Sequence, residues 1–409
     1  MSYSETLKIR PFRNLWLGQA ISQLGDAFYY VSFMFMVQKV TGSIAMVGFV
    51  GACETLPYLL LSLYAGVVAD RLDRRVIMLW SDLLSGISLC VLGGLVFVLG
   101  KPPIWSLLLI PFLLSCVRSF FMPAKSAAIP ALVPEDQLMP ANALSGITQS
   151  IVPMISLAFT AGVLSFFYSW SPKWFLISAV MLNSVSFFAS AAFVYLLPTI
   201  LPIREKLVEA HPWNDLKDGL RFIRSNHALM VLLALQTGFS LSVSPFFVVY
   251  VAANKDWFGG KPQTLAIFEL SFFAGMFLAS LYVGKMQFKR PGIGFIGGAF
   301  GVGITVLILA FSKIFALFVF WCLMAGVAVP FADIPMRTWM QMAIPDGFRG
   351  RTNSVFMMLA AGVAPAGLCL GGVLVTAVGI SMAFVLMGAG MALAALLGLV
   401  DREFRSLKV

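Results

Sequence analysis

Charge is what this sequence lacks most. Only 11% of its 409 residues are Asp, Glu, Lys or Arg, against 60% that are hydrophobic, and the mean hydropathy is +0.92. A water-soluble chain of this length needs far more polar surface to cover its core, so a soluble globular domain is excluded and lipid is the solvent that suits the composition. Histidine is nearly absent: the two residues, His211 and His227, fall outside the apolar runs and make poor ligands or proton relays. The five cysteines (Cys53, Cys90, Cys116, Cys322 and Cys369) are scattered through apolar stretches with no CxxC or Cys/His cluster. They read as small core residues, which excludes a disulfide framework and a zinc site. No phosphate-cradling glycine loop, catalytic triad or metal constellation is present, so neither an enzyme nor a cofactor is expected. Residues 1–13 are polar and lack the short apolar core and small-residue cleavage site of a secretory signal, so the first hydrophobic segment is expected to remain in the mature protein.

Long apolar runs are what is there. A helix needs about 20 mainly apolar residues to cross the hydrocarbon core. That length predicts twelve spans, near 12–38, 44–69, 76–99, 104–122, 140–169, 173–197, 227–252, 264–285, 291–312, 314–336, 351–377 and 379–400. The net charge of +10 is carried by short basic clusters between these runs, with no basic patch interleaved with stacking aromatics, so nucleic acid is not an expected partner. With both termini and the even-to-odd loops on one side, only Lys39, Lys101, Lys173, Lys255, Lys261 and Lys313 fall on the other, leaving 22 of the 28 Lys and Arg residues together. That asymmetry follows the positive-inside rule and puts both ends in the cytoplasm.

Most connections are very short, and the one long connection falls at mid-chain. It divides the sequence into residues 1–197, a linker 198–226 and residues 227–409. Within the linker, Trp213, Leu216, Leu220 and Ile223 recur at helical spacing after Pro212, which predicts an amphipathic helix on the cytoplasmic membrane surface. The halves echo each other. Pro123-Ala124-Lys125, Val133-Pro134-Glu135, Asn142 and Val152-Pro153 recur in the same order as Pro335-Met336-Arg337, Ile344-Pro345-Asp346, Asn353 and Ala364-Pro365. Parallel repeats related by an axis along the membrane normal are a transporter architecture, with substrate bound between them near the midplane.

The sharpest motif is Gly66-Val67-Val68-Ala69-Asp70-Arg71-Leu72-Asp73-Arg74-Arg75, between the second and third spans. It resembles the G-x-x-x-D-R-x-x-R-R/K signature of the major facilitator superfamily. The resemblance implies an all-α membrane protein with twelve transmembrane helices in two pseudo-twofold-related six-helix bundles. It further implies a cytoplasmic gate built on Gly66, Asp70, Arg71, Arg74 and Arg75, with Arg118 nearby, in which Gly66 permits a close helix approach and Asp70 meets the chain near Gly350 and Arg351. Three stretches resemble the drug:proton antiporter branch that includes macrolide efflux proteins and the enterobactin exporter. They are Phe12 to Trp16 with Gln23 to Asp26, Pro123 to Leu144, and Trp213 to Arg224. The chain departs from that branch in its fifth span, where Val152-Pro153 and a lone Gly162 replace the usual Gly-Pro and Gly-Gly pairs. Pro123-Ala124-Lys125 is also similar to a stretch of bacterial lysophospholipid transporters.

An acid at the centre of a span costs roughly 2.5–3.5 kcal/mol on insertion scales, so each one calls for a reason. Asp26 lies halfway along the first span and Glu54 near the middle of the second. Low dielectric penalises a charged carboxylate, which makes these two the candidate proton-coupling groups, set against structural acids satisfied by polar neighbours. Gln19, Gln23, Asp26 and Tyr30 share one helical face. Together with Phe33 and Asn142 they are the expected wall of a substrate cavity. Asp82, Asp333 and Arg337 are expected in ion pairs near the cytoplasmic ends, and Glu269 near the outer end.

These readings predict a monomeric, proton-coupled exporter of amphipathic or cationic small molecules in a bacterial inner membrane. Its partners would be the substrate, protons and the lipid bilayer. A lipid or lysophospholipid transporter of the same fold, and a non-transporting receptor or scaffold, stay open.

Overall fold

A computed structural model describes residues 3–69, 71–138, 140–142, 144–146, 148, 151–152, 155–156, 171–201, 212–283, 286 and 288–407. The expected fifth span, 140–169, and the Pro153 and Gly162 of its pattern lie largely or wholly outside these residues. The remaining helices are α1 (Tyr3–Lys8), α2 (Arg10–Thr41), α3 (Ile44–Ala69), α4 (Arg74–Leu99), α5 (Ile104–Leu132) and α6 (Pro172–Tyr195). They continue as α7 (Pro212–Ser225), α8 (His227–Val243), α9 (Phe246–Trp257), α10 (Pro262–Val283) and α11 (Pro291–Leu309), then α12 (Phe315–Ala343), α13 (Asp346–Val378), α14 (Ile380–Val400) and α15 (Arg402–Arg405).

Among the described residues, ten helical stretches are long and apolar enough to cross a membrane, α8 and α9 counting as one stretch, His227–Trp257. The more polar α2, with 32 residues, falls outside that number, and the expected fifth span lies largely outside the described residues, so ten is consistent with twelve. Local chemistry sets the boundaries. Gly42 and Gly100 close α2 and α4 in the left-handed region, at φ 67° and 76°. Asp73, Ser171 and Asn226 cap α4, α6 and α8 by accepting from the backbone N–H groups of Arg75, Lys173 and Leu229. Pro245 has no N–H to donate, and the helix breaks there between α8 and α9.

The chain falls into two compact units. The first comprises Met1–Gly42 and Cys53–Glu209, the second Ser43–Ala52 and Ala210–Val409. In the first, α6 packs against both α2 and α4, and α4 packs against α5. In the second, α14 packs against both α8 and α11, and α11 packs against α12. The same pairing order thus recurs in each unit, the structural counterpart of the sequence repeat.

Lipid offers no hydrophobic drive for two helices to associate, so small residues that let backbones approach carry the packing. On α2, a Cβ at Gly25 would lie 2.5 Å from Asn183 Oδ1 and 2.8 Å from Ser186 Cβ of α6. On α12, a Cβ at Gly326 would lie 2.8 Å from the Phe272 carbonyl carbon of α10.

The linker helix α7 is tied to one of the two units. It docks on α13 and α8 as part of the second unit. Ile223 is fully buried, Gly219 abuts the Arg351 backbone, and Phe222 stacks on Phe348 at 4.7 Å. Its apolar stripe is buried at Ile223 and exposed at Trp213, and Asp218 pairs with Arg351 at 3.6 Å.

Candidate functional site: an acid–base cluster in the first unit

Four helices of the first unit bring ionisable and polar side chains together. Asp26 of α2 faces Arg118 of α5, with Arg118 Nη1 3.6 Å from Asp26 Oδ2. Asn183 of α6 donates its amide Nδ2 to Asp26 Oδ1 at 3.4 Å, and Asn183 Oδ1 in turn accepts from Ser186 Oγ at 3.0 Å. Glu54 and Tyr58 of α3 lie within the electrostatic reach of Arg118. The pair is not sealed, since the Asp26 and Arg118 side chains keep 27% and 56% of their accessibility. Arginine stays protonated under all physiological conditions, so the carboxylates are the members of this cluster that can take up and release a proton.

One expected carboxyl group, Asp26, therefore pairs with this cation, and the other, Glu54, lies in its electrostatic field. Arg118, expected beside the cytoplasmic motif, is instead the partner of Asp26. The remaining cavity candidates divide. Gln19 and Gln23 line a small cavity of about 10 Å³ with Lys125, Trp16, Ser145 and Thr148, a turn or more along α2 from Asp26. Tyr30 is half-buried and Asn142 is exposed. Phe33 is 1% exposed and stacks on Tyr29 at 4.9 Å, so it belongs to the packed core rather than to an open wall.

The motif between α3 and α4 has a local role within the first unit. Asp70 lies outside the described residues. At Gly66 a Cβ would meet nothing within 4 Å among the described residues, so no close helix approach depends on it. Arg71 is exposed, and Arg74 Nε is buried without a hydrogen-bond acceptor among the described residues. Arg75 donates to the Tyr195 carbonyl at 2.6 Å and lies 5.1 Å over the Tyr195 ring. Asp73 Oδ1 accepts from the Ile200 backbone N–H at 3.0 Å as well as capping α4. The motif thus staples the start of α4 to the end of α6. The aspartate just before a helical arginine pair is the N-cap signal that points to Asp73.

Two further acids stand apart from this cluster. Asp82 of α4 is 2% exposed and accepts from Ser190 Oγ at 2.6 Å, with no cation paired to it among the described residues, so the expected ion pair is replaced by a hydroxyl. Glu269 of α10 accepts from Tyr250 Oη, and Tyr250 packs edge-on against Phe268 and Phe247. Asp333 and Arg337 do form the expected pair, at 2.7 Å.

The geometry is that of a membrane protein with a polar, partly accessible acid–base cluster inside one helical unit. The chain belongs to the transmembrane secretion effector family, which it matches over residues 2–405, and so to the major facilitator transporters. It is 27% identical over 382 residues to macrolide efflux protein A of Streptococcus pyogenes, covering 92% of each chain. It is 24% identical over 372 residues to the multidrug efflux pump Tap of Mycolicibacterium fortuitum, covering 88% of each. Among solved structures it superposes on a bacterial homologue of the iron transporter ferroportin in its inward-facing state with a TM-score of 0.72, at 16% identity and 98% and 99% coverage. It superposes on a D-xylose–proton symporter with a TM-score of 0.69, at 14% identity and 96% and 99% coverage. At these identities the structural likeness fixes the fold alone.

Proposed function

We propose that this transporter exports amphipathic small molecules across a bacterial inner membrane in exchange for protons, with both of its termini in the cytoplasm. The observation that carries this reading is the pairing of Asp26 with Arg118, with Glu54 of a second helix in the same electrostatic field. Protonating Asp26 removes the charge that holds Arg118, which frees the guanidinium to turn to Glu54. Returning the proton restores the first pairing. A proton is thereby exchanged for a change in which helices are tied together, which is what coupling a gradient to alternating access requires. The efflux of macrolides and of multiple drugs named for the two relatives supports a drug-like substrate and the outward direction. One charge moving through 100 mV supplies roughly 2.3 kcal/mol, enough to drive modest accumulation.

The test is transport in inside-out vesicles energised by an imposed pH gradient, with a macrolide and an amphipathic dye as substrates. The wild type should accumulate substrate in proportion to the gradient. Asp26→Asn should retain substrate binding and lose the gradient dependence. Gradient-driven accumulation that survives in Asp26→Asn would remove Asp26 from the coupling step.

A further inference from the structure

One buried acid of the first unit takes no part in the pairing at Arg118. Asp82, on α4, is 2% exposed, and Ser190 Oγ of α6 donates to its Oδ2 at 2.6 Å. The helices packed against α4 are α5 and α6. Of the groups on them that can carry charge, α5 has Cys116, Arg118 and Lys125, and α6 has Lys173 and Tyr195. Among the described residues none of these pairs with Asp82. The charge that does reach it is the carboxylate of Asp26 on α2, the other helix that α6 packs against.

An ionised carboxylate left in the interior with one neutral donor is costly, and binding a proton removes that cost. A serine hydroxyl both donates and accepts, so the Ser190 contact serves either state of the acid. An arginine partner favours only the charged form. Asp26 must therefore give up a pairing to take a proton, whereas Asp82 need not. Nor does packing require the acid. In the second unit the corresponding contact joins α11 and α14, which contain no acid, and a Cβ at Gly303 would lie 2.7 Å from the Ala392 nitrogen.

Helix α6 connects the two acids. Asn183, which donates to Asp26, and Ser190, which donates to Asp82, lie on one face about 10 Å apart along the axis. Ser186 sits between them on that face and donates to Asn183 Oδ1 at 3.0 Å. All three side chains are buried, while Asp26 keeps 27% of its accessibility and opens the Asn183 end to water. We propose that Asp82 is a second proton-binding residue of the first unit, exchanging its proton along this face of α6 in step with Asp26. The use of that proton in transport rests on the antiport reading; its binding does not.

The experiment joins infrared difference spectroscopy of the full-length protein in detergent, titrated from acidic to alkaline pH, with transport in inside-out vesicles. The wild type should show a protonated-carboxyl C=O band that disappears reversibly as the pH rises, and Asp82→Asn should remove it. Ser190→Ala keeps the acid and deletes its hydrogen bond, so it should retain the band at a shifted frequency. That shift assigns the band even where Asp82→Asn fails to fold. The vesicles are clamped at zero membrane potential and given an amphipathic dye of fixed charge. The logarithm of its accumulation, plotted against the pH step, should have a slope of about two in the wild type and about one in Asp82→Asn, one unit for each proton exchanged. Ser190→Ala should keep the wild-type slope. A carboxyl band that neither variant alters, or that pH does not move, would overturn the proposal. An unchanged slope in Asp82→Asn would also overturn it and leave antiport standing on Asp26. A wild type without gradient-driven accumulation would remove the antiport reading, and the infrared band alone would then decide whether Asp82 exchanges a proton.

Discussion

Lys125 and Arg337 occupy matching places in the internal repeat, each two residues after a helical proline, yet they have opposite fates. Arg337 is 74% exposed and answers Asp333 one turn earlier at 2.7 Å. Lys125 is 4% exposed and has no acid to answer it among the described residues. The contrast extends to the units that hold them. The first carries Asp26, Glu54, Asp82, Arg118 and Lys125 within its spans. In the second, α8, α11 and α14 hold no charge apart from His227 at the very start of α8. Repetition has preserved the scaffold, the prolines and the pairing order of the helices. More of the costly polar chemistry lies in the first copy, although the second keeps Glu269 in α10 and the Asp333–Arg337 pair in α12, and a charge kept inside a membrane helix is where function is to be sought.

The sharpest way to break that comparison is to neutralise one acid in each unit. Asp26→Asn should lower pH-driven export to the level of empty vesicles. Glu269→Gln should keep at least about half of the wild-type rate, because its carboxyl is bound to Tyr250 within an aromatic cluster and shares no cation. Equal losses in both variants, read in the same vesicle assay, would show that coupling chemistry is spread over both units.

Glycine supplies the next largest contrast. Gly25→Val should destabilise the first unit by about 1–3 kcal/mol, the usual cost of overpacking, because α6 stands against that position. Gly66→Ala, inside the signature motif, should raise stability by up to about 1 kcal/mol, the helix propensity gained where no neighbour is met. Thermal unfolding in detergent reads both, and a destabilised Gly66→Ala would restore a packing role to the motif glycine.

How much of this could be read from the sequence turned on proline. The apolar runs gave the order of the spans and a number consistent with the ten stretches found among the described residues, because a membrane helix has a fixed minimum length. They misplaced several ends. The fourth span, expected to stop at 122, continues as α5 to Leu132 through Pro123 and Pro130, and the tenth, expected to stop at 336, continues as α12 to Ala343 through Pro335. Inside a membrane protein, neighbouring helices and side chains satisfy the backbone groups that a proline frees, so a residue that ends a soluble helix only bends this one. Lys125 was therefore read as one more cytoplasmic loop cation when it is a buried helical residue, and Arg118 was placed nearer a helix end than it is. Asp26 and Glu54 were legible because acids in apolar runs are rare. The pairing of Asp26 with Arg118 was not, since it depends on how two helices are rotated. The coordinates also reassign Gln19 and Gln23: they share a helical face with Asp26, but they line the Lys125 cavity.

The smallest expected effects belong to the repeat-related cations themselves, and their signs carry the argument. Lys125→Met removes an unpaired buried charge and supplies an apolar side chain of similar length. In anion-free buffer it should stabilise the protein by about 1 kcal/mol, as replacing buried charge with well-packed apolar groups often does. Arg337→Met breaks an exposed pair, whose worth is about 0.5 kcal/mol or less once solvent screening and side-chain entropy are counted, so it should shift the unfolding temperature slightly downward or not at all. A destabilised Lys125→Met in anion-free buffer would mean that the ammonium already has a partner within the protein, and the difference between the two repeats would then be one of partner rather than of purpose.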